Sequence, residues 1–446
     1  MKREEKFLTG QTLSGRYRLD LLLGAGGMGQ VYLAADTAQE DRRVALKVLK
    51  DRETVEWFKR EFETLSLMVH PHIARVHDFD QDKTRKVYYY TCEYVEGRPA
   101  DDVLAGRPFE EKLCCFVQVL KALQYIHSQG YLHCDIKPGN VLVVAGSSGL
   151  EARVLDFGLA MAVPRASMTA RGTLSYMAPE WFTGGVPGAY TDLYSAGIMF
   201  YEIAYGRLPF SASDSHSCVE FHTRGDMAFP EDESVPAWFP KLLVRMTSRE
   251  PADRLTMARE CLSTLQRLSG LDLKLAEAAE GFEGGVGGPW LGRADALQAG
   301  LQMLQRMRRA DISGGGLLLV EGEEGIGKTR LLAELKRRTQ LAGGTALHLA
   351  AGGRGRGVFA SLVSLVQGLG EGRVSGRQEK VSHMVTRLVE QLLAAGTEGE
   401  LVLFLDGLDE MDEQVAGVVL SVLHAQEFAV AEGTGKLARV AMVASG

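Results

Sequence analysis

Lys47 stands at the end of an apolar, strand-like run, Val44-Ala45-Leu46-Lys47. A lysine there is costly to bury unless it meets an anion, and phosphate supplies one. Ahead of it, Gly24-Ala25-Gly26-Gly27-Met28-Gly29-Gln30-Val31 fits the pattern GxGxxGxV. A dinucleotide-binding turn would require a helix directly after the glycines. Here Val31-Tyr32-Leu33-Ala34-Ala35 continues as a strand, so a β-hairpin over phosphates fits better. Glu61 follows in a helical run, where it can turn toward Lys47. Farther on come His133-Cys134-Asp135-Ile136-Lys137-Pro138-Gly139-Asn140, then Asp156-Phe157-Gly158, then Ala178-Pro179-Glu180. A second cluster, Gly322-Glu323-Glu324-Gly325-Ile326-Gly327-Lys328-Thr329, fits GxxxxGK[ST], a backbone cradle for phosphate with a lysine at its end.

The first series, in this order, resembles the eukaryotic-type protein kinase family over about residues 17–268. The resemblance implies a set of roles that the chemistry of in-line phosphoryl transfer explains, since that reaction needs positioning and charge neutralisation. Lys47, held by Glu61, would bind the α- and β-phosphates of ATP. The loop of Gly24, Gly26, Gly27 and Gly29, followed by Val31, would let backbone approach the phosphates without Cβ clashes. Asn140 and Asp156 would hold Mg²⁺ as hard oxygen ligands. Asp135 would accept the proton of the substrate hydroxyl, and Lys137 would meet the transferred phosphate. Glu93-Tyr94-Val95 looks like the adenine-binding hinge, with Cys92 guarding the pocket behind it. Glu180 is expected to pair with Arg254, and Asp192 to brace the catalytic loop. Lys137 together with Gly172-Thr173 points to Ser/Thr rather than Tyr acceptors. One residue departs from the pattern: Cys134 replaces the usual arginine before the catalytic aspartate. A phosphate at Ser167 or Thr169 would lack its ordinary partner, so control is expected through the C-terminal part of the chain.

The second cluster follows the strand-like Leu317-Leu318-Leu319-Val320 and opens a helix over 329–340, the context its mechanism requires. Gly322, Gly325 and Gly327 would shape the cradle, Lys328 would reach the β- and γ-phosphates, and Thr329 would bind Mg²⁺. Leu401 to Leu405 leads into Asp406, a carboxylate suited to a second Mg²⁺ contact, with Asp409 or Glu410 to polarise water. With Trp290-Leu291-Gly292-Arg293 ahead of it, this region looks like the AAA-like ATPases of the signal-transduction type. The order of the two regions resembles large bacterial regulatory Ser/Thr kinases. The ATPase core is expected to be incomplete at its C-terminal end, because the chain stops after a fourth strand where such a core normally adds a fifth.

The elements that must position these residues divide at the run 281–288, Gly-Phe-Glu-Gly-Gly-Val-Gly-Gly, which cannot support a helix or strand interior. Before it, strands (17–23, 31–35, 43–49, 87–93) give way to long helices (113–129, 191–205), as two lobes of one domain would. Beyond it, apolar strands alternate with helices, the pattern of a parallel sheet. The expected fold class is therefore an α+β bilobal kinase fold over 17–268, a Gly-rich linker over 269–289, and an α/β P-loop domain over 290–446. With 46% hydrophobic and 24% charged residues in 446, wholesale disorder is excluded. A net charge of -7 offers no basic field for nucleic acid. No run of about 18 apolar residues is present to span a membrane. The N-terminus has no signal-peptide pattern, and six cysteines lack ligand spacing, so the expected setting is cytoplasmic and reducing. Cys114-Cys115 is expected to be two buried thiols, His70-Pro71-His72 a structural loop rather than a metal site, and Tyr88-Tyr89-Tyr90 strand packing. Expected partners are protein substrates with Ser/Thr acceptors, with self-association through the ATPase region. The rival reading is a pseudokinase scaffold whose P-loop region switches assembly, and the presence of Lys47, Glu61, Asp135, Asn140 and Asp156 argues against it.

Overall fold

The computed structural model describes residues 8–25, 29–49, 55–146, 149–155, 161–162, 174–211, 214–271, 294–308, 316–323, 325–350, 362–363, 386, 388–394, 401–407, 411, 413–432 and 440–445. Gly26, Gly27, Asp156, Ser167, Thr169, Thr173, Trp290 to Arg293, Asp409, Glu410 and the glycine run 281–288 lie outside the described residues. The chain forms two compact units. One comprises 1–66, 76–94 and 289–446, and the other 67–75 and 95–288.

The first unit begins with an antiparallel sheet. Its strands are β1 (Thr12–Leu13), β2 (Tyr17–Ala25), β3 (Gly29–Asp36), β4 (Arg42–Leu49), β5 (Val76–Asp82) and β6 (Val87–Glu93), in the order β1-β2-β3-β4-β6-β5. Tyr17, Leu19, Tyr32, Leu46 and Tyr89 make its core, which is why these strands read as alternating apolar positions. Gly29 is required by this pairing, because a Cβ there would collide with the Val48 carbonyl oxygen. Helix α1 (Val55–Ser66) buries Phe58, Glu61, Phe62 and Leu65 along one face. Phe58 and Phe62 meet Phe79 of β5, with ring centroids 5.9 and 5.4 Å apart.

The second unit is mostly helical. After β7 (Arg98–Pro99) come α2 (Ala100–Leu104), α3 (Phe109–Ser128) and β8 (Tyr131–Leu132). A 3₁₀ turn, Pro138–Asn140, leads into β9 (Val141–Gly146) and β10 (Gly149–Val154), followed by β11 (Met161–Ala162). Then come α4 (Glu180–Thr183), α5 (Ala189–Tyr205), α6 (Ser215–Arg224), α7 (Phe239–Met246) and α8 (Ala258–Ser269). Helix α5 is buried almost all round, and Phe116 of α3 stacks on its Phe200 at 4.2 Å between centroids. The expectation of two buried thiols in α3 needs correction: Cys115 is buried and Cys114 exposed. Neighbouring residues on a helix point about 100° apart, so only one of them faces the core.

The chain then completes the first unit with α9 (Ala294–Arg308), β12 (Gly316–Val320), α10 (Lys328–Leu341), β13 (Thr345–Ala350), β14 (Leu401–Asp406), α11 (Glu413–Glu432) and β15 (Val440–Ser445). The four strands form a parallel sheet in the order β12-β15-β14-β13. Leu331, Leu332 and Leu335 of α10 pack on Val402, Phe404 and Val443 beneath it. Among the described residues, no helix is long and apolar enough to cross a membrane.

Candidate active site

In the first unit, cross-strand register sets the first cluster. Lys47 of β4 lies directly opposite Tyr90 of β6, so both side chains leave the sheet on one face. Lys47 Nζ donates to Glu61 Oε1 of α1 at 2.7 Å, and Tyr90 Oη donates to the same oxygen at 2.7 Å. The ammonium also stands 5.7 Å from the Tyr90 ring centroid. Lys47 and Glu61 are each 7% exposed, so this is a buried, hydrogen-bonded ion pair. Such a pair is retained for the geometry it imposes more than for net stability. Tyr90 therefore does more than strand packing. The signal that could have found it is its position opposite Lys47, which appears only once the β4–β6 register is known. Gly24 lies next to the last residue of β2 with open space around it, and Gly29 and Val31 stand in the first three residues of β3.

In the second unit, the loop after β8 gathers Asp135, Lys137 and Asn140. Lys137 Nζ donates to Asp135 Oδ2 at 2.7 Å, and Asn140 Nδ2 donates to the same oxygen at 2.9 Å and to the Asp135 carbonyl at 2.8 Å. Asp135 and Lys137 keep 19% and 26% of their side chains exposed, unlike the closed Lys47–Glu61 pair. Asp192 of α5 holds the loop from beneath. Its carboxylate accepts the backbone N–H of His133 at 2.8 Å, that of Cys134 at 2.7 Å, and His127 Nε2 at 2.8 Å. Burial alone would raise the Asp192 carboxyl, but the hydrogen bond and charge of His127, then His133, outweigh it and hold it below its ordinary value. Cys134 sits at φ 63°, a left-handed conformation that its N–H bond to Asp192 helps to fix. Its thiol is pushed well up, by burial first and then by Asp192 and Asp135, which favours its protonated form. Glu180 and Arg254 meet in a buried fork of 2.9 and 3.2 Å. Val95 is buried, its carbonyl accepting Gly97 N–H at 2.8 Å; in the first unit, Glu93 ends β6 opposite Val44.

The second cluster lies at the carboxyl end of the parallel sheet. Gly327 caps α10 at φ 99°, a conformation that L side chains rarely adopt. Gly322 and Gly325 lie in the turn before it, and Thr329 follows Lys328 in the first turn of α10. Lys328 Nζ lies across this turn, donating to the Gly322 carbonyl at 2.6 Å and to that of Glu323 at 3.3 Å. Asp406, at the end of β14, accepts Ser445 Oγ at 2.5 Å, and the same hydroxyl accepts Gly407 N–H at 3.0 Å. Ser445 pairs with Val320, the last residue of the strand before the phosphate turn, so it links that strand to Asp406. Sequence reading passed over Ser445; the signal was a polar residue ending an otherwise apolar strand.

Comparison with known proteins supplies the family. The model of the protein kinase domain matches residues 17–265, more than half of the chain. The chain belongs to the protein kinase family. The AAA domain of the dynein-related subfamily matches residues 317–442, so the kinase domain is followed by an AAA domain. Similar relatives include the serine/threonine-protein kinase PknA of Mycobacterium tuberculosis, 38% identical over 230 residues, 48% of this chain and 52% of PknA. The serine/threonine-protein kinase PrkC of Bacillus subtilis is 31% identical over 267 residues, 57% of this chain and 40% of PrkC. The serine/threonine-protein kinase pkn2 of Myxococcus xanthus is 33% identical over 272 residues, 57% of this chain and 32% of that relative. The chain thus spans about half or less of the length of these relatives.

Proposed function

We propose that this kinase transfers the γ-phosphate of ATP to Ser or Thr hydroxyls of proteins, and that its AAA domain regulates the transfer by binding nucleotide. The observation that carries the reading is the Asp135–Lys137–Asn140 cluster, half-open and braced by Asp192. Asp135 takes the proton of the acceptor hydroxyl as that oxygen bonds to the γ-phosphorus. The bond from the γ-phosphorus to the bridging oxygen breaks, and ADP leaves with the electron pair. Lys137, already beside Asp135, offers its charge to the phosphoryl group in transit. Lys47 binds the α- and β-phosphates, oriented by Glu61 and Tyr90.

The residues fit Mg²⁺ in one respect that the structure supports. With Nδ2 committed to Asp135, Asn140 has its amide oxygen to offer a hard cation. Asn140 and Asp156 would hold the ion, which when bound would neutralise phosphate charge. In the AAA domain, Thr329 and Asp406 would hold Mg²⁺, with Lys328 on the β- and γ-phosphates.

Control through the AAA domain, rather than a phosphate on Ser167 or Thr169, follows from Cys134, which cannot pair with phosphate as arginine does. Self-association through the AAA domain and a cytoplasmic setting, where ATP is held, belong to the same proposal. The test is transfer of labelled phosphate from ATP to a generic protein substrate. Asp135→Ala should lower the rate at least about 10²-fold while the protein stays folded. Equal transfer by wild type and Asp135→Ala would return the pseudokinase reading.

A further inference from the structure

Asp78 of β5 is a buried carboxylate that the chemistry above does not use. Its Oδ2 accepts Tyr17 Oη of β2 at 3.0 Å and lies 3.4 Å from the guanidinium of Arg16, in the turn that leads into β2. Its Oδ1 takes partners from the AAA domain: Lys336 Nζ at 2.6 Å and Gln340 Nε2 at 2.9 Å. Lys336 and Gln340 are four residues apart on α10, hence on one face of that helix. A buried carboxylate is tolerated only when paired and hydrogen-bonded, and here half of the pairing comes from outside the kinase domain. Burial alone would raise the Asp78 carboxyl; Lys336 first, then Arg16, hold it well below its usual range.

A second tie runs beside the first. Arg337 donates to Glu63 Oε1 of α1 at 3.0 Å, while Glu334 fixes the same guanidinium from within α10 through bonds of 2.9 and 2.7 Å. Glu63 lies two residues after Glu61, the partner of Lys47. Phe79, next to Asp78, packs on Phe58 and Phe62 of α1. At its other end α10 begins with Lys328, directly after the phosphate turn. Lys328 and Lys336 are separated by about 12 Å of continuous helix.

We propose that α10 is a docked control element, which through Asp78 and Glu63 lets nucleotide at the AAA domain set the position of α1 and thus the hold on Lys47. This rests on the kinase reading for its consequence, though not for the docking itself.

The experiment uses the full chain and reads amide hydrogen exchange over 55–66 and 76–82. Lys336→Met should speed exchange in both segments about fivefold or more, the lower end of ordinary coupling energies. Glu63→Gln, altering a side chain that is 51% exposed, should do so over 55–66 only, and it serves where Lys336→Met fails to fold. Addition of MgADP should change exchange over 55–66 in wild type, and part of that change should vanish in Lys328→Ala. Unaltered exchange in the docking variants, or a nucleotide response identical in wild type and Lys328→Ala, would overturn the proposal. Phosphate transfer is measured alongside. Lys328→Ala should shift its rate in the wild-type background and have no further effect in Lys336→Met. An equal shift in both backgrounds would also overturn the proposal. If wild type and Asp135→Ala transfer equally, the kinase reading fails, while exchange still decides the docking.

Discussion

One oxygen, Glu61 Oε1, accepts both the Lys47 ammonium and the Tyr90 hydroxyl. The arrangement fixes the carboxylate by two donors from adjacent strands, so that loss of either leaves it freer to rotate. Tyr90→Phe keeps the ring and its packing on Phe58, 4.9 Å between centroids, and deletes only the hydroxyl. A hydrogen bond to a charged group contributes about 1.5–3 kcal/mol. If half of that is felt when Lys47 meets phosphate, kcat should fall about 4- to 13-fold. The KM for the protein acceptor should barely move, because Tyr90 acts through Glu61 rather than on the acceptor. Steady-state kinetics of the folded variant decide this, and an unchanged kcat would reduce Tyr90 to packing.

At the scale of elements, the buried Glu180–Arg254 fork ties the short helix α4 to the loop ahead of α8. Thr191 Oγ1 gives Glu180 a further bond of 2.6 Å, and Arg254 also donates to the carbonyls of Ser248 and Arg249. Removing one member of such a pair leaves an uncompensated buried charge, at a cost of about 3–5 kcal/mol. Arg254→Met should lower stability by that amount, and adding Glu180→Gln should restore part of it. Urea denaturation of the single and double variants measures both, and additive losses would contradict the pairing argument. This tie was legible in the sequence, as were Lys47–Glu61 and the bracing by Asp192, because the resemblance fixes which motif residues meet. Tyr90, Ser445 and Asp78 were not legible. Each acquires its partner from the register or packing of segments distant in the chain, which spacing along the sequence does not encode. The strands and helices named from apolar periodicity are present, with ends displaced by one or two residues where capping and pairing decide, except that α3 begins at Phe109, four residues before the expected 113.

At the scale of the whole molecule, burial holds His70, His222 and the partly exposed His348 neutral, and they occur in both compact units. His70, stacked on Tyr125, and His222, bonded to Tyr194 at 2.8 Å, lie in the second unit. His348, on β13, lies in the first. Burial foremost lowers each from 6.5 to about 4, with His72 adding to the effect on His70 and Lys336 to that on His348. In the unfolded chain they regain ordinary values. Between pH 6.5 and pH 4 the unfolded chain therefore binds more protons than the folded one, and stability falls as pH is lowered through that window. Above pH 6.5 the contribution is complete, and each histidine costs about 1.4 kcal/mol per pH unit well inside the window. Asp78 and Asp192 act elsewhere. Their carboxyls are depressed, so their contribution is present above the ordinary carboxylate value and lost only as pH falls below it. The decline between pH 6.5 and pH 4 is thus carried by these histidines, with His72 lowered in the same direction by burial, and not by these two acids. Urea midpoints measured at pH 7, 6 and 5 should fall in that order. His222→Gln should flatten the decline of the transition that reports the second unit, by about one proton's worth of slope. A wild-type midpoint that stays level from pH 7 to pH 5 would mean that these rings accept protons without leaving their packing.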